Sequence, residues 1–162
     1  MEKLPSPVWN ARLGAVVNAR RGLPPLVSAY FRAGREFLAS RPLPAQLHEL
    51  RLATKRLRYT LELFRRCYGP ELERYLAELQ VLQQALGVLN DCVASRHLLT
   101  REMPASPLRD KLEKFLSGEE ASRAGHVREV WTGQFDAAGR EAAWVRYLGR
   151  RARGSIRKPA MH

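Results

Sequence analysis

The chain has 162 residues, 45% of them hydrophobic, and carries 28 Lys and Arg against 16 Asp and Glu for a net charge of +12. That length and apolar content suit one folded domain with its own core and exclude a disordered tail. The charge bears on partners rather than on fold, and points to phosphate-rich polymers, nucleic acid or an acidic membrane surface.

The chain opens on a Pro-punctuated lead, Leu4 to Pro7. A helical pattern follows from about Val8 to Ala39, and Gly22, Pro24 and Pro25 predict a kink or break within it. Pro42 and Pro44 close this segment and open the next. Pro44 suits a first helical turn, where its missing N–H costs nothing. The second segment runs from about Pro44 to Tyr68, with Leu47, Leu50, Leu57, Leu61 and Phe64 at helical spacing, Thr54 in one apolar slot, and Gly69 and Pro70 as its stop. The third runs from about Glu71 to Arg101, its apolar face made by Leu72, Tyr75, Leu79, Leu82, Leu86, Leu89 and Val93. Gly87 inside it predicts a close helix contact.

Met103 to Pro107 is a loop. The fourth segment begins at Pro107 or Leu108, takes Leu108, Leu112, Phe115 and Leu116 as its first apolar face, and runs to about Phe135 past a weak point at Ser117–Gly118. A further short helix from about Gly139 to Arg151 fits Ala142, Ala143, Val145 and Leu148, ahead of a frayed tail. No β-type alternation of any length occurs. The expected fold class is all-α: an antiparallel four-helix bundle with long helices and a short extra C-terminal helix. The bundle is assigned to residues 1–138 and a basic C-terminal segment to residues 139–162.

The second segment carries the chemistry. Projected at 100° per residue, its apolar residues gather on one side and His48, Arg51, Lys55 and Arg58 on another, at spacings of three, four and three. Arg65 and Arg66 extend that side, and Glu62 among them pairs with Lys55, Arg58 or Arg66. From Arg41 to Tyr68 there are seven basic residues and two acidic ones, a net of +5. A stripe of like charges repels itself, so an anionic partner is its economical explanation, although many basic helix faces are only solvated. His48 to Arg58 spans about 15 Å of helix, room for several phosphate groups. Arg offers a fork to phosphate oxygens, Lys a point charge, and His a donor that a polyanion would help to protonate.

The string HELRLATKRLRYTLELF, His48 to Phe64, resembles the signature of the CHAD family, the conserved histidine α-helical domains. His48, Arg51, Leu52, Lys55, Arg56, Leu57, Arg58 and Tyr59 meet its motif positions. LQQALGVLND, Leu82 to Asp91, resembles the motif of the family's following helix. The resemblance covers roughly residues 8 to 135. It implies a helical module that binds inorganic polyphosphate through basic residues, with His48, Arg51, Lys55 and Arg58 as ligand contacts. Arg56 matches the motif but projects away from that face. Tyr59 matches at its edge, where packing and contact are equally open. Asp91 matches too, and a structural salt bridge to a motif Arg or Lys is its expected role. Gln83, Gln84 and Asn90 are expected to make interhelical hydrogen bonds. Members of the family typically carry two four-helix repeats, whereas one His-containing helix is present here. A homodimer would restore the two-repeat arrangement.

Other classes fit less well. A nucleic-acid binder shares the charge, and the stretch from Arg140 to Lys158 adds seven basic residues against one acidic. Yet no zinc-finger spacing, RNP string or GXXG clamp appears, so only weak, nonspecific DNA or RNA binding is expected. An enzyme acting on phosphate esters would need a carboxylate cluster, a P-loop, HExxH or a nucleophile elbow, and the sequence has none. The expectation is a non-enzyme without cofactor or metal. Cys67 and Cys92 lie far apart, form no CxxC and read as reduced thiols. No secretory leader and no stretch of roughly 18 apolar residues is present, which predicts a cytoplasmic protein with no membrane partner, associated with polyphosphate granules.

Overall fold

The structure, a computed structural model, describes residues 8–40 and 44–150. The described residues form six α-helices and no strand: α1 (Ala15–Ala39), α2 (Pro44–Leu63), α3 (Arg65–Tyr68), α4 (Leu72–Glu102), α5 (Pro107–Val130) and α6 (Arg140–Arg150), with a π-helical turn at Trp131–Phe135 after α5. The all-α fold class therefore holds. Helix α1 packs on α2 and α6, α2 packs on α4, and α4 packs on α5. The lead at Leu4 to Pro7, the residues around Pro42 and the C-terminal tail lie outside the described residues.

Amphipathic spacing built the core as the sequence predicts. Leu47, Leu50, Leu57 and Leu61 of α2 are buried, as are all seven apolar residues named for α4. Thr54 occupies its apolar slot fully buried. Its hydroxyl donates to the Leu50 carbonyl at 2.8 Å and shares a 2.6 Å hydrogen bond with the Tyr30 hydroxyl. This polar pair is tolerated inside the bundle because each hydroxyl has a partner.

Four boundaries differ from expectation. Helix α1 begins at Ala15 rather than near Val8, and it runs unbroken through Pro24 and Pro25. A Pro in a helix interior costs about 3 kcal/mol, but here Leu23, Leu26 and Val27 beside the pair are buried and hold the turn against the core. Gly22 is not a breaker either. A Cβ there would fall 2.7 Å from the Trp9 ring, so the glycine makes room for an indole that reaches on to Phe64, 5.1 Å between ring centroids. The second segment does not run intact to Tyr68. It pauses at Phe64, which starts the separate turn α3, and Gly69 at φ +73° then reverses the chain. Ser117–Gly118 is no weak point, for α5 is continuous across it. Ser106 caps that helix by accepting from the Arg109 N–H at 3.2 Å, and Pro107 takes its first position.

The expected first apolar face of α5 is the largest correction. Leu108, Leu112 and Phe115 are 59%, 39% and 63% exposed, and Leu116 is half-buried. The period marked a real stripe, but no other described helix covers it.

The far end of α5 is tied down instead. Trp131 and Phe135 are buried in an aromatic cluster with Tyr30, Phe31 and Trp144. The Trp131 ring lies against α1 at Gly34, where any Cβ would overlap it. Asp136 locks the π turn: its N–H donates to the Trp131 carbonyl at 2.7 Å, and its carboxylate accepts from Trp131 Nε1 at 3.2 Å and from both Arg35 Nε and a terminal Arg35 nitrogen. Arg35 also pairs with Glu141 at 2.7 Å. Helix α6 thus joins the core, with Trp144 and Leu148 fully buried, Tyr147 stacked on Tyr75 at 4.5 Å, and Arg140 bridged to Glu78 of α4.

Candidate polyanion-binding face

The basic stripe lies on α2, along the side next to α4. His48 is exposed, and Arg51, Lys55 and Arg58 are half-buried. The half-burial follows from the neighbour they lie against. Arg51 crosses α4 at Gly87, where a Cβ would stand 3.7 Å from Arg51 Nε. That Nε is enclosed and has no hydrogen-bond partner. One turn earlier on α4, Gln83 Oε1 accepts a 2.9 Å hydrogen bond from Arg58 Nε. Two residues of the LQQALGVLND region, four apart on one face of α4, therefore seat two arginines of the stripe. The interhelical bond expected of Gln83 is present, whereas at Gly87 the neighbour is the Arg51 side chain at an ordinary contact distance rather than a closely approaching helix. Gln84 and Asn90 make no such bond among the described residues, and Gln84 instead lines a groove toward α5.

Arg58 is held on three sides. Besides Gln83, it pairs with Glu62 one turn on, 3.0 Å from Nη1 to Oε1, and its guanidinium lies 4.7 Å over the Tyr59 ring. Glu62 thus takes Arg58 from among its three candidate partners. Tyr59 is 49% exposed and serves as a platform for Arg58. Arg56 is exposed away from the stripe, in line with its projection. Among the described residues, His48, Arg51, Lys55 and Arg56 form no salt bridge.

Two expectations fail. Asp91 is exposed and makes no salt bridge among the described residues; the group that meets Arg58 across the helices is the neutral Gln83. Asp91 lies on α4 about one turn beyond Gly87 and is open to solvent. Arg65 and Arg66 fall on the separate turn α3 after the pause at Phe64 rather than on α2. Arg65 is bound by Glu73, 2.8 Å from Nε to Oε1.

Both cysteines are free thiols, Cys92 buried and Cys67 half-buried, and burial pushes the Cys67 thiol up from its ordinary value. Among the described residues no three His, Cys, Asp or Glu side chains are grouped so as to hold a metal ion, and no helix is long and apolar enough to cross a membrane.

Comparison with known proteins returns no match among curated proteins and none among solved structures. The family model of the CHAD domain matches residues 4–100, which is more than half of the chain and takes in α1, α2 and nearly all of α4. The residues that seat the stripe, Gln83 and Gly87, fall inside that span along with the stripe itself, and the chain belongs to the CHAD domain family.

Proposed function

We propose that the chain is a non-catalytic module that binds inorganic polyphosphate through the α2 face of His48, Arg51, Lys55 and Arg58, with Tyr59 at its edge and Arg56 contributing from outside it. The observation that carries the reading is the seating of Arg51 and Arg58 on α4. Their guanidinium groups are half-buried and already positioned, by Gly87 in one case and by Gln83, Glu62 and Tyr59 in the other. A pre-positioned cation loses less side-chain entropy when a phosphate arrives than one on a mobile stem. The stripe is about 15 Å long, and a flexible chain of phosphates can follow it. Localisation to polyphosphate granules would follow from such binding.

Nucleic-acid binding is the alternative, on charge. Against it stands the placement of the aromatic side chains. Most are packed in the core, and Tyr59 beside the stripe already has the Arg58 guanidinium over its ring, which leaves few open ring faces for bases to stack on. Duplex DNA is also stiff, and must offer its phosphates at fixed spacing.

The test is titration with long-chain polyphosphate, tripolyphosphate and duplex DNA at two salt concentrations, repeated with Arg51→Ala, Lys55→Ala and Arg58→Ala. Polyphosphate should bind more tightly than DNA, and each variant should lower the log–log salt slope by up to about one unit. Arg146, exposed on α6, supplies the control. If Arg146→Ala loses as much affinity as the stripe variants, attraction is to net charge and the site is wrong. DNA binding as tight as polyphosphate at physiological salt would favour the alternative.

A further inference from the structure

Helices α4 and α5 form a hairpin whose outer face carries exposed apolar side chains that no other described helix covers. On α5, Leu108, Leu112 and Phe115 recur at four and three residues, and the stripe continues through Glu119, Ser122 and His126. Those last three line one side of an open groove of about 390 Å³, and Val81, Gln84 and Val88 of α4 line the other. Further along α4, Leu98 extends the face; Val81, Val88 and Leu98 are 46%, 41% and 53% exposed. Six of the eleven large exposed apolar side chains among the described residues thus fall on this one hairpin face. Single exposed apolar residues are ordinary, but a concentration of them on two adjacent helices marks an interaction surface. On α5 the spacing of four and three is the pattern by which helices pack side by side, knobs into holes, and on α4 Val81 and Val88 stand one heptad apart.

Charge narrows the occupant. Helices α4 and α5 together hold eight basic and nine acidic residues, in a chain whose net charge is +12. The entire positive excess therefore lies outside this hairpin. An acidic partner would be drawn to the rest of the molecule, not to this face. A second copy of the chain, repelled everywhere else, meets the least repulsion here. Each of the segments outside the described residues carries at most two large apolar side chains, Met1 and Leu4, Leu43, and Ile156 and Met161, against six on the face.

We propose that two copies of the chain pair through the α4–α5 face, related by a two-fold axis so that the same stripe serves both sides. Two hairpins joined this way make a four-helix layer with Leu108, Leu112 and Phe115 at its centre. Gln84, Asp91, Glu119 and His126, interspersed in the stripes, restrict the register in which the copies can meet. All of α5 lies beyond the family match, which ends at residue 100, so the α5 half of the face rests on this chain's own residues. It also stands apart from polyphosphate binding, and is measured without any polyanion.

Sedimentation velocity in polyanion-free buffer, up to about 100 μM protein, populates even a dimer of micromolar Kd. The expected mass approaches twice the 18.5 kDa of one chain. The double variant Leu112→Glu with Phe115→Glu should raise the dimer Kd by at least about tenfold. Its circular dichroism should not change, because both side chains are exposed. Val88→Glu with Leu98→Glu, on the other helix, should do the same. Leu63→Glu, at an 81% exposed apolar residue of α2 outside the face, should leave the dimer intact. A single-chain mass at every concentration overturns the proposal, and so does a dimer that both double variants leave untouched or that Leu63→Glu dissociates.

Discussion

Arg58 Nε donates to Gln83 Oε1 at 2.9 Å, across the contact between α2 and α4. This bond joins the basic helix to the glutamine- and glycine-bearing stretch of the next one. Gln83 carries no charge, so it orients the guanidinium without neutralising it. Glu62, the charged partner, lies on the same helix as Arg58 and grips it from the other side.

Gln83→Leu is therefore expected to act on position alone. Removing an acceptor from a charged donor costs about 1.5–3 kcal/mol where it is fully expressed. At a half-exposed site we expect a smaller effect, a roughly three- to tenfold weaker affinity for long-chain polyphosphate. The salt slope should stay unchanged, since no cation is lost, whereas Arg58→Ala should lower it. Titration at several salt concentrations separates the two, and a reduced slope for Gln83→Leu would contradict a positioning role.

Gly87 should respond in opposite ways to two substitutions. A Cβ there meets Arg51 Nε at 3.7 Å, an ordinary contact. Gly87→Ala should therefore be accommodated and should stabilise α4 by about 0.5–1 kcal/mol through the unfolded state. Gly87→Leu must push the Arg51 side chain off α4. It should keep the helical content and weaken polyphosphate binding by roughly tenfold, about the worth of one charged contact. Thermal melts and titrations of the pair check both halves.

Gly34→Ala should be among the most damaging single changes. Its Cβ would overlap the buried Trp131 ring, which is itself fixed by Asp136. Overpacking of this kind costs about 1–3 kcal/mol, and the better helix propensity of Ala returns only about 1 kcal/mol. Urea unfolding should show a lower midpoint at unchanged slope.

Alkaline pH should destabilise the fold. Burial raises the Tyr30 hydroxyl well above its ordinary value, against the opposing hydrogen bond to Thr54. Burial also raises Tyr68, reinforced by the nearby Cys67 and Tyr147 and opposed by Arg20. Above about pH 10 the unfolded chain gives up these protons while the folded chain keeps them. The unfolded state then binds fewer protons, so stability falls as pH rises, by about 1.4 kcal/mol per pH unit for each fully titrating tyrosine. Stability that is flat from pH 8 to 12, measured by urea unfolding, would count against this burial.

The sequence by itself determined the helical class, the buried faces of α2 and α4, the short C-terminal helix and the basic stripe. Each of these follows from local periodicity, which fixes which side chains share a face whatever surrounds the helix. The tertiary structure decided what each face meets. Periodicity marks Leu108, Leu112 and Phe115 as an apolar stripe, but cannot tell whether another helix of the same chain is there to cover it, and none of the described ones is. Pro24 and Pro25 carry a local penalty that predicts a break. The burial of Leu23, Leu26 and Val27 supplies enough non-local stabilisation to keep the helix whole. Asp91 looked like the partner of a motif cation because opposite charges attract. Which residue reaches Arg58 depends on how α4 is set against α2, and that packing brings Gln83 to Arg58 and Gly87 to Arg51, while Asp91, one turn farther along, makes no salt bridge among the described residues.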